Sequence, residues 1–559
     1  MTERPTSESN SGPRPPARPS VLRSAGVISA AVKASRITGL LRESVLSWML
    51  GAGAANDAYV LGYRIPNLTR ELFAEGALSS AFVPTFTRYL TTKSKEEARE
   101  LSNIAGTMVL LITAMLALLG MALSPWLTTL FAPGFRAVPG KWELAAELMR
   151  TMFPYVVLLA LSAQAQGILY SSGKFGVPAL STSVSNLATV AFGVLLGYGL
   201  GPRIGVTPVQ GMAFGVVLGG AAQLAFQLPS VWREGFAWRP RWNIRRNLRH
   251  EGVRHILMLM GPAIVGSASG QINVLVTTNL AAGLRDAHGH VMNGPVSWLS
   301  YAYRFFALPM GVFAVSIASA TLPSISRSAA EKNFGEFRDT LSRSIVMILM
   351  LTAPASAGLA VLGESMIGIV YQHGRFLAED TVQTGLALEG FALGLAGYSV
   401  LRLVAPAFYA LGDAKTPMLV SLAAVVVNAA TATALVRVFG FGHAGLALSM
   451  ALLYTFSAVT LLWILRGKIG GINGRAMTRS FARILIAAAA TGLVCRGVVL
   501  ASHHFFGASL AARVLDVAAG IPAGAASFYI VAAALRIPEL AETRAAVMQK
   551  LGRAPRIIR

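Results

Sequence analysis

The sequence predicts an all-α polytopic membrane protein of about fourteen transmembrane helices: two six-helix lobes in a parallel, pseudo-two-fold repeat, plus two C-terminal helices. Three observations carry this. Of 559 residues, 54% are hydrophobic and only 13% are charged, with a mean hydropathy of +0.58, a balance outside that of soluble globular chains. Apolar runs of the ~20 residues that one bilayer crossing needs recur along the whole chain. Finally, Tyr170, Gly173 and Pro178 return as Tyr409, Gly412 and Pro417, each 239 residues later, and so does Pro84 as Pro323. Six helices separate the equivalent positions, an even number, so both halves run in the same sense through the membrane.

Taken in order, residues 1–23 form a Pro- and Ser-rich basic tail of disordered composition. Apolar segments beginning near Val27, Asp57, Leu101, Met149, Pro178 and Pro208 build a first lobe over 24–230. Residues 231–255 form a linker in which seven arginines from Arg233 to Arg254 alternate with Trp232, Phe236, Trp238 and Trp242. Such a basic amphipathic stretch suits an anionic phospholipid surface; a nucleic-acid patch is the weaker alternative, and nucleic acid is not expected as a partner. Segments from Ile256, Val296, Leu341, Gly385, Pro417 and Ala444 give the second lobe, 256–466. Those from Phe481 and Val514 give the last pair, 467–536, before a basic tail over 537–559.

Lysine and arginine fix the expected orientation. They crowd the N-terminus and the even loops, for example Arg88, Lys93 and Arg99, or Arg327, Lys332 and Arg338. The odd loops hold few, among them Arg136 and Lys141. The positive-inside rule then puts both termini of a multi-pass membrane chain in the cytoplasm.

The stretch from Ser35 to Pro84 breaks the apolar pattern with Arg36, Arg42, Glu43, Asp57, Arg64, Arg70, Glu71 and Glu75. A charge at the bilayer centre costs about 2.5–3.5 kcal/mol or more, so these side chains are expected to face a polar cavity. Ser35, Gly39 and Arg42 share one stripe of the first helix. In the second, Pro66 interrupts the hydrogen-bond ladder beside Arg64 and Asn67. In the other half, Ser297, Ser300 and Arg304 share a face, with Tyr301 beside them as a hydroxyl donor. A surplus of arginine favours a phosphate-bearing substrate, because the guanidinium fork meets phosphate oxygens bidentately and stays charged. Snorkelling to headgroups is the competing reading for arginines near helix ends. For Glu389, Arg402 and Arg150, a buried pair or a helix-end role is the simpler expectation.

Catalysis finds little support. The chain has no Walker A sequence, no HExxH, no paired-cysteine metal site and no GxSxG. Cys495 is the only cysteine and sits in an apolar run. His503-His504 is a weak metal candidate. No cofactor is expected.

The run SRITGLLRESVLSWMLGAGAANDAYVLGYRIPNLTRELFAEGALSSAFVPTF resembles the N-terminal signature of the MurJ (MviN) family of lipid II flippases, within the MOP exporter superfamily. VSWLSYAYRFFALPMGVFAVSIASATLPSIS and LVAPAFYALGDAKTP continue the resemblance, over roughly residues 25–535. The resemblance implies fourteen helices in two lobes and an inward- and outward-facing cycle. Its implied activity is movement of undecaprenyl-diphosphate-linked disaccharide pentapeptide to the outer leaflet, a transporter activity, with lipid II and the cell-wall synthesis machinery as partners. It also implies substrate-binding roles for Arg36, Arg42, Arg70, Arg304 and Ser297, a supporting role for the acidic Asp57, and a lipid-tail groove for the last two helices. A glutamate that some members carry three residues after the arginine is Ala307 here. A cavity that alternates between empty and loaded with a diphosphate changes charge, which implies dependence on membrane potential or on a coupling ion. A different MOP-type exporter and a membrane-embedded glycan polymerase are the alternatives.

Overall fold

The protein is described from a computed structural model, which describes the backbone of residues 21–71, 79–537 and 539–540 and, within these, the side chains outside 21–29, 69–70, 79–80 and 261–269. Glu75, the Arg70 side chain and nearly all of both expected tails lie outside the described residues.

The described residues form helices joined by short turns. They are α1 (Val21–Leu50), α2 (Ala54–Arg70), α3 (Ser79–Thr92), α4 (Lys95–Phe131), α5 (Lys141–Met152), α6 (Pro154–Ser171), α7 (Gly176–Val194), α8 (Gly201–Ile204), α9 (Pro208–Arg233) and α10 (Ile244–Arg249). There follow α11 (Glu251–Ala282), α12 (Pro295–Pro309), α13 (Val315–Ala330), α14 (Phe334–Tyr371), α15 (Ala378–Ala392), α16 (Leu395–Ala410), α17 (Lys415–Arg437), α18 (Gly442–Lys468), α19 (Gly474–Phe506) and α20 (Leu510–Ala534). Ten helical segments among the described residues are long and apolar enough to cross a membrane; α15 and α16, bent by 42°, make an eleventh if counted as one span.

Polar caps mark helix starts, and that of α4 lies ahead of its apolar run. Ser94 and Glu97 form a capping box at the start of α4, and Thr207 with Gln210 does the same for α9. Each box satisfies two otherwise orphaned N–H groups. Pro154 opens α6 directly after α5, so the fourth apolar run is two helices end to end, starting at Lys141. Pro309 removes a donor at the end of α12, and the chain answers with a π-helical turn over Met310–Ala314.

Packing follows sequence order. Within the first half, α1 packs on α7, α7 on α9, α6 on α9, α2 on α5, α3 and α4 on α6, and α3 on α4. Within the second, α11 packs on α17, α17 on α18, α16 on α18, α12 on α15, α13 and α14 on α16, and α13 on α14. The two turns that the sequence pairs have the same backbone. Gly173 has φ 74° and Gly412 has φ 75°. The next residues, Lys174 and Asp413, donate to the carbonyls of Leu169 and Phe408 at 2.8 and 2.9 Å. Only a residue tolerant of positive φ closes such a helix end, which is why glycine stands at both. Helices α19 and α20 pack on each other and on α14.

Candidate functional site

Two adjoining cavities, of about 560 and 470 Å³, lie between the halves and share Arg42, Glu43, Tyr63, Asn67, Glu71 and Arg304 in their walls. The first reaches toward α16 and α18, where Tyr398, Arg402 and Tyr454 line it; the second extends along α1 to Arg36 and Ser35. Among the described residues the walls carry five arginines (36, 42, 64, 304, 402) and two glutamates (43, 71). Such an imbalance is tolerable only where water or an anionic ligand supplies the remainder.

The centre of the site is one carboxylate oxygen. Glu43 Oε1 lies 2.7 Å from Arg42 Nη2 and 3.1 Å from Arg304 Nη2, so α1 of the first half and α12 of the second share a single buried acid. Arg42 is aimed from behind. Its Nη1 donates to Asn186 Oδ1 at 3.2 Å, and the Asn186 amide donates to Thr38 Oγ1 and to the Ser35 carbonyl at 3.3 and 3.4 Å. Arg36 lies against Gly311 in the π-helical turn; a Cβ there would stand 2.6 Å from Arg36 Nη2. Arg64 donates to Thr278 Oγ1 on α11. Asn67 Nδ2 and Gln271 Nε2 both donate to Glu71, at 2.8 and 2.5 Å. Ser300 lines the first cavity.

Asp57, Ser297 and Tyr301 are elsewhere, forming a second, closed cluster beside the α1–α2 turn. Asp57 is fully buried and accepts from Lys141 Nζ (2.8 Å), the Gly294 and Ser297 backbone N–H groups (2.8 Å each) and Ser297 Oγ (2.7 Å). Gly294 is the N-cap of α12 and has no side chain to cap with. Asp57, from the other half, fills that role and meets the positive end of the helix dipole. Lys141 also donates to Asn293 Oδ1 at 2.9 Å. Tyr301 bonds to Asn56 and to the Gly51 carbonyl, and the Arg375 N–H to the Trp48 carbonyl, fastening the same face. Backbones touch there: a Cβ on Gly134 would stand 2.2 Å from the Ala282 carbonyl oxygen, and one on Gly51 2.4 Å from that of Arg375.

Sequence reasoning missed Lys141, expected in a solvent-facing loop and found 2% exposed. It missed Glu43 as the bridge, although the acid beside Arg42 was visible, and it gave Arg402 a structural role where the structure sets it in the cavity wall. His503 bonds to the buried Asp516, not to His504, at 3.0 Å. Among the described residues no cluster of three metal-ligating side chains forms.

Helical spans enclosing a cationic cavity between two similarly packed halves have the architecture of a membrane transporter. Solved structures agree on the fold. An inward-facing multidrug-resistance MATE transporter of the MOP superfamily aligns with TM-score 0.58 at 16% identity, over 79% of this chain and 94% of its own. A structure described as lipid II flippase MurJ, inward closed conformation, aligns with TM-score 0.72 at 25% identity, over 91% and 99%. The sequence profile of the family described as lipid II flippase MurJ matches residues 46–515. A Burkholderia cenocepacia lipid II flippase MurJ is 30% identical over 434 residues, 78% of this chain and 81% of that one. A Vibrio cholerae protein described as a probable lipid II flippase MurJ is 34% identical over 452 residues, 78% and 82%. The chain belongs to the lipid II flippase MurJ family.

Proposed function

We propose that the protein carries lipid II, an undecaprenyl-diphosphate-linked disaccharide pentapeptide, from the inner to the outer leaflet of the bacterial cytoplasmic membrane by alternating access. The observation that carries this reading is the Glu43 carboxylate shared by Arg42 and Arg304 from opposite halves, in a cavity with a surplus of arginine. A diphosphate is the ligand such a site prefers, since two or more guanidinium forks can each take two of its oxygens. Arg36 and Arg70 complete the set of binding arginines, and Arg64, Asn67 and Glu75 support it.

Fourteen spans follow when α1, the α2–α3 pair and α11 join the eleven that are long and apolar enough to cross. Arg36, Arg42 and Glu43 on α1, Arg64 on α2 and Glu71 just after it line the cavity, which is how a charged helix crosses a membrane. The recurrence of the same helix pairings in α1–α9 and α11–α18 supports a two-lobe repeat, with α19–α20 appended.

In the conformation described, the Asp57 cluster holds the face beside the α1–α2 turn shut, while the cavity extends along α1 toward its N-terminal end. With the N-terminus cytoplasmic, this is an inward-facing form closed on the outside. Diphosphate entry displaces Glu43 from at least one arginine and draws the lobes together around the anion. Outward opening then requires Asp57 to release the α12 N-terminus. Returning an empty cationic cavity inward moves positive charge toward a negative cytoplasm, worth about 2.3 kcal/mol per charge per 100 mV. Membrane potential, or an ion coupled to the second lobe, thus resets the carrier. The testing experiment is depletion of the protein in its native cell with a leaflet-specific lipid II assay. Lipid II accumulates on the inner side if the reading holds, and an unchanged distribution refutes it.

A further inference from the structure

Arg42 and Arg304 share an acid, but Arg402 has none. Among the described residues no carboxylate lies within ion-pairing distance of it, and its one hydrogen bond runs from Nε to Tyr398 Oη at 2.5 Å. The guanidinium carbon stands 5.2 Å from the Tyr398 ring centroid. Tyr398 is in turn packed edge-on against Tyr454, with centroids 5.0 Å apart, and Phe391 closes the wall. The side chain itself is exposed to the cavity. A cation–π contact and a phenolic acceptor hold its plane, but neither neutralises its charge. With Nε engaged, both Nη groups are left for a planar, two-oxygen acceptor. The aromatic wall excludes water from one side, which strengthens any ion pair made there.

This site is placed differently from the diphosphate site. Arg36, Arg42 and Arg304 belong to α1 and α12, whereas Arg402, Tyr398 and Tyr454 belong to α16 and α18, in a part of the larger cavity's wall that the second cavity does not share. A substrate held by its diphosphate at Glu43 therefore presents its more distal groups to Arg402. We infer that Arg402, oriented by Tyr398, is a second anion subsite that takes a carboxylate of the substrate's peptide portion, so that the carrier reads both ends of the polar headgroup. This rests on the lipid II reading above, and names the part of that substrate which the α16–α18 wall recognises.

The test uses full-length protein in nanodiscs and three ligands: lipid II, lipid II with its peptide carboxylates amidated, and undecaprenyl diphosphate, which has no peptide. Binding is followed by intrinsic tryptophan fluorescence. Wild type is expected to bind lipid II about tenfold more tightly than the amidated analogue, the margin of one charge-assisted bidentate pair. Arg402→Gln should abolish that margin while its affinity for undecaprenyl diphosphate stays within twofold of wild type. Arg402→Lys should recover only part of it. Tyr398→Phe, which frees Nε and unfixes the fork, should narrow the margin several-fold and stands as the independent variant if Arg402→Gln does not fold. Arg42→Gln, by contrast, should weaken all three ligands. Equal losses for lipid II and undecaprenyl diphosphate in Arg402→Gln would make Arg402 part of the diphosphate site and overturn the inference, as would no loss of discrimination. Wild type binding none of the three would overturn the functional reading itself, a distinct result.

Discussion

Glu43 and Asp57 are both buried acids at the seam between the halves, and they are satisfied in opposite ways. Asp57 accepts four hydrogen bonds, from a lysine, a hydroxyl and two N–H groups at a helix start, all at 2.7–2.8 Å. Nothing around it is left over. Glu43 offers one oxygen to two arginines in a cavity where three more arginines share the walls with one further glutamate. The first arrangement is balanced in itself, and the second leaves a surplus of positive charge in the walls. Charge balance thus separates the two acids more clearly than burial does.

The comparison breaks most visibly at Asp57. Asp57→Ala leaves Lys141 buried and unpaired, at a cost of about 3–5 kcal/mol, the penalty for orphaning one partner of a buried pair. We expect a large drop in thermal stability in detergent, partly recovered by adding Lys141→Met; an unchanged melting temperature would mean that the cluster is not a fastening. Arg42→Ala and Arg304→Ala should instead leave expression and melting temperature nearly intact but abolish complementation of a depleted strain, and the lysine variants should rescue poorly. Normal growth supported by either alanine variant would remove the site from the mechanism. Glu43→Gln sharpens the contrast, because removing the competing acid should tighten undecaprenyl diphosphate binding several-fold while slowing turnover; weaker binding would show that Glu43 organises the arginines and does not compete with the ligand.

Two smaller effects bear on orientation and on the turns. Cysteines at Ser94 and Glu331 should be shielded from an impermeant thiol reagent in intact cells, and one at Ala378 should react. The reverse pattern would invert the direction of transport. At the α16–α17 turn, Lys468 and the Thr416 hydroxyl and N–H hold the Asp413 carboxyl well below the usual carboxylate range. A depressed folded-state value stabilises above the unfolded pKa of about 3.9 and loses that contribution as pH falls further. The melting-temperature gap between wild type and Asp413→Asn should therefore be small, constant from pH 5 to 8, reduced by salt, and closing below about pH 4. A gap that widened in acid would contradict the assignment.

How much of this was legible in the sequence depended on distance along the chain. The likeness of two turns was readable because Tyr, Gly and Pro at a fixed offset encode local backbone, and the turns at Gly173 and Gly412 are alike. The arginines of α1 were readable because charge in an apolar run has few explanations. Lys141 was not, since its partner Asp57 lies 84 residues away and nothing near Lys141 marks it as buried. Arg402 was missed for another reason: Tyr398, which holds it, lies one turn earlier on the same helix, but one arginine inside a span reads equally well as structural. Ser297 was grouped with Ser300 and Arg304 by helical spacing, yet its position in the first turn of α12 commits it to Asp57. One face of a short helix thus serves two sites.

The shut face has a mechanical property of its own. Gly134 and Gly51 let main chain from opposite halves rest against main chain, with no side chain between to compress or rotate aside. A single methyl group at Gly134, aimed at the Ala282 carbonyl 2.2 Å away, would act as a doorstop. Overpacking of that kind costs roughly 1–3 kcal/mol, and each 1.4 kcal/mol is a tenfold change in the ratio of two states. Gly134→Ala would accordingly loosen the contact between the halves at this face without touching a charged group, a perturbation that leaves the side chains of the cavity as they are.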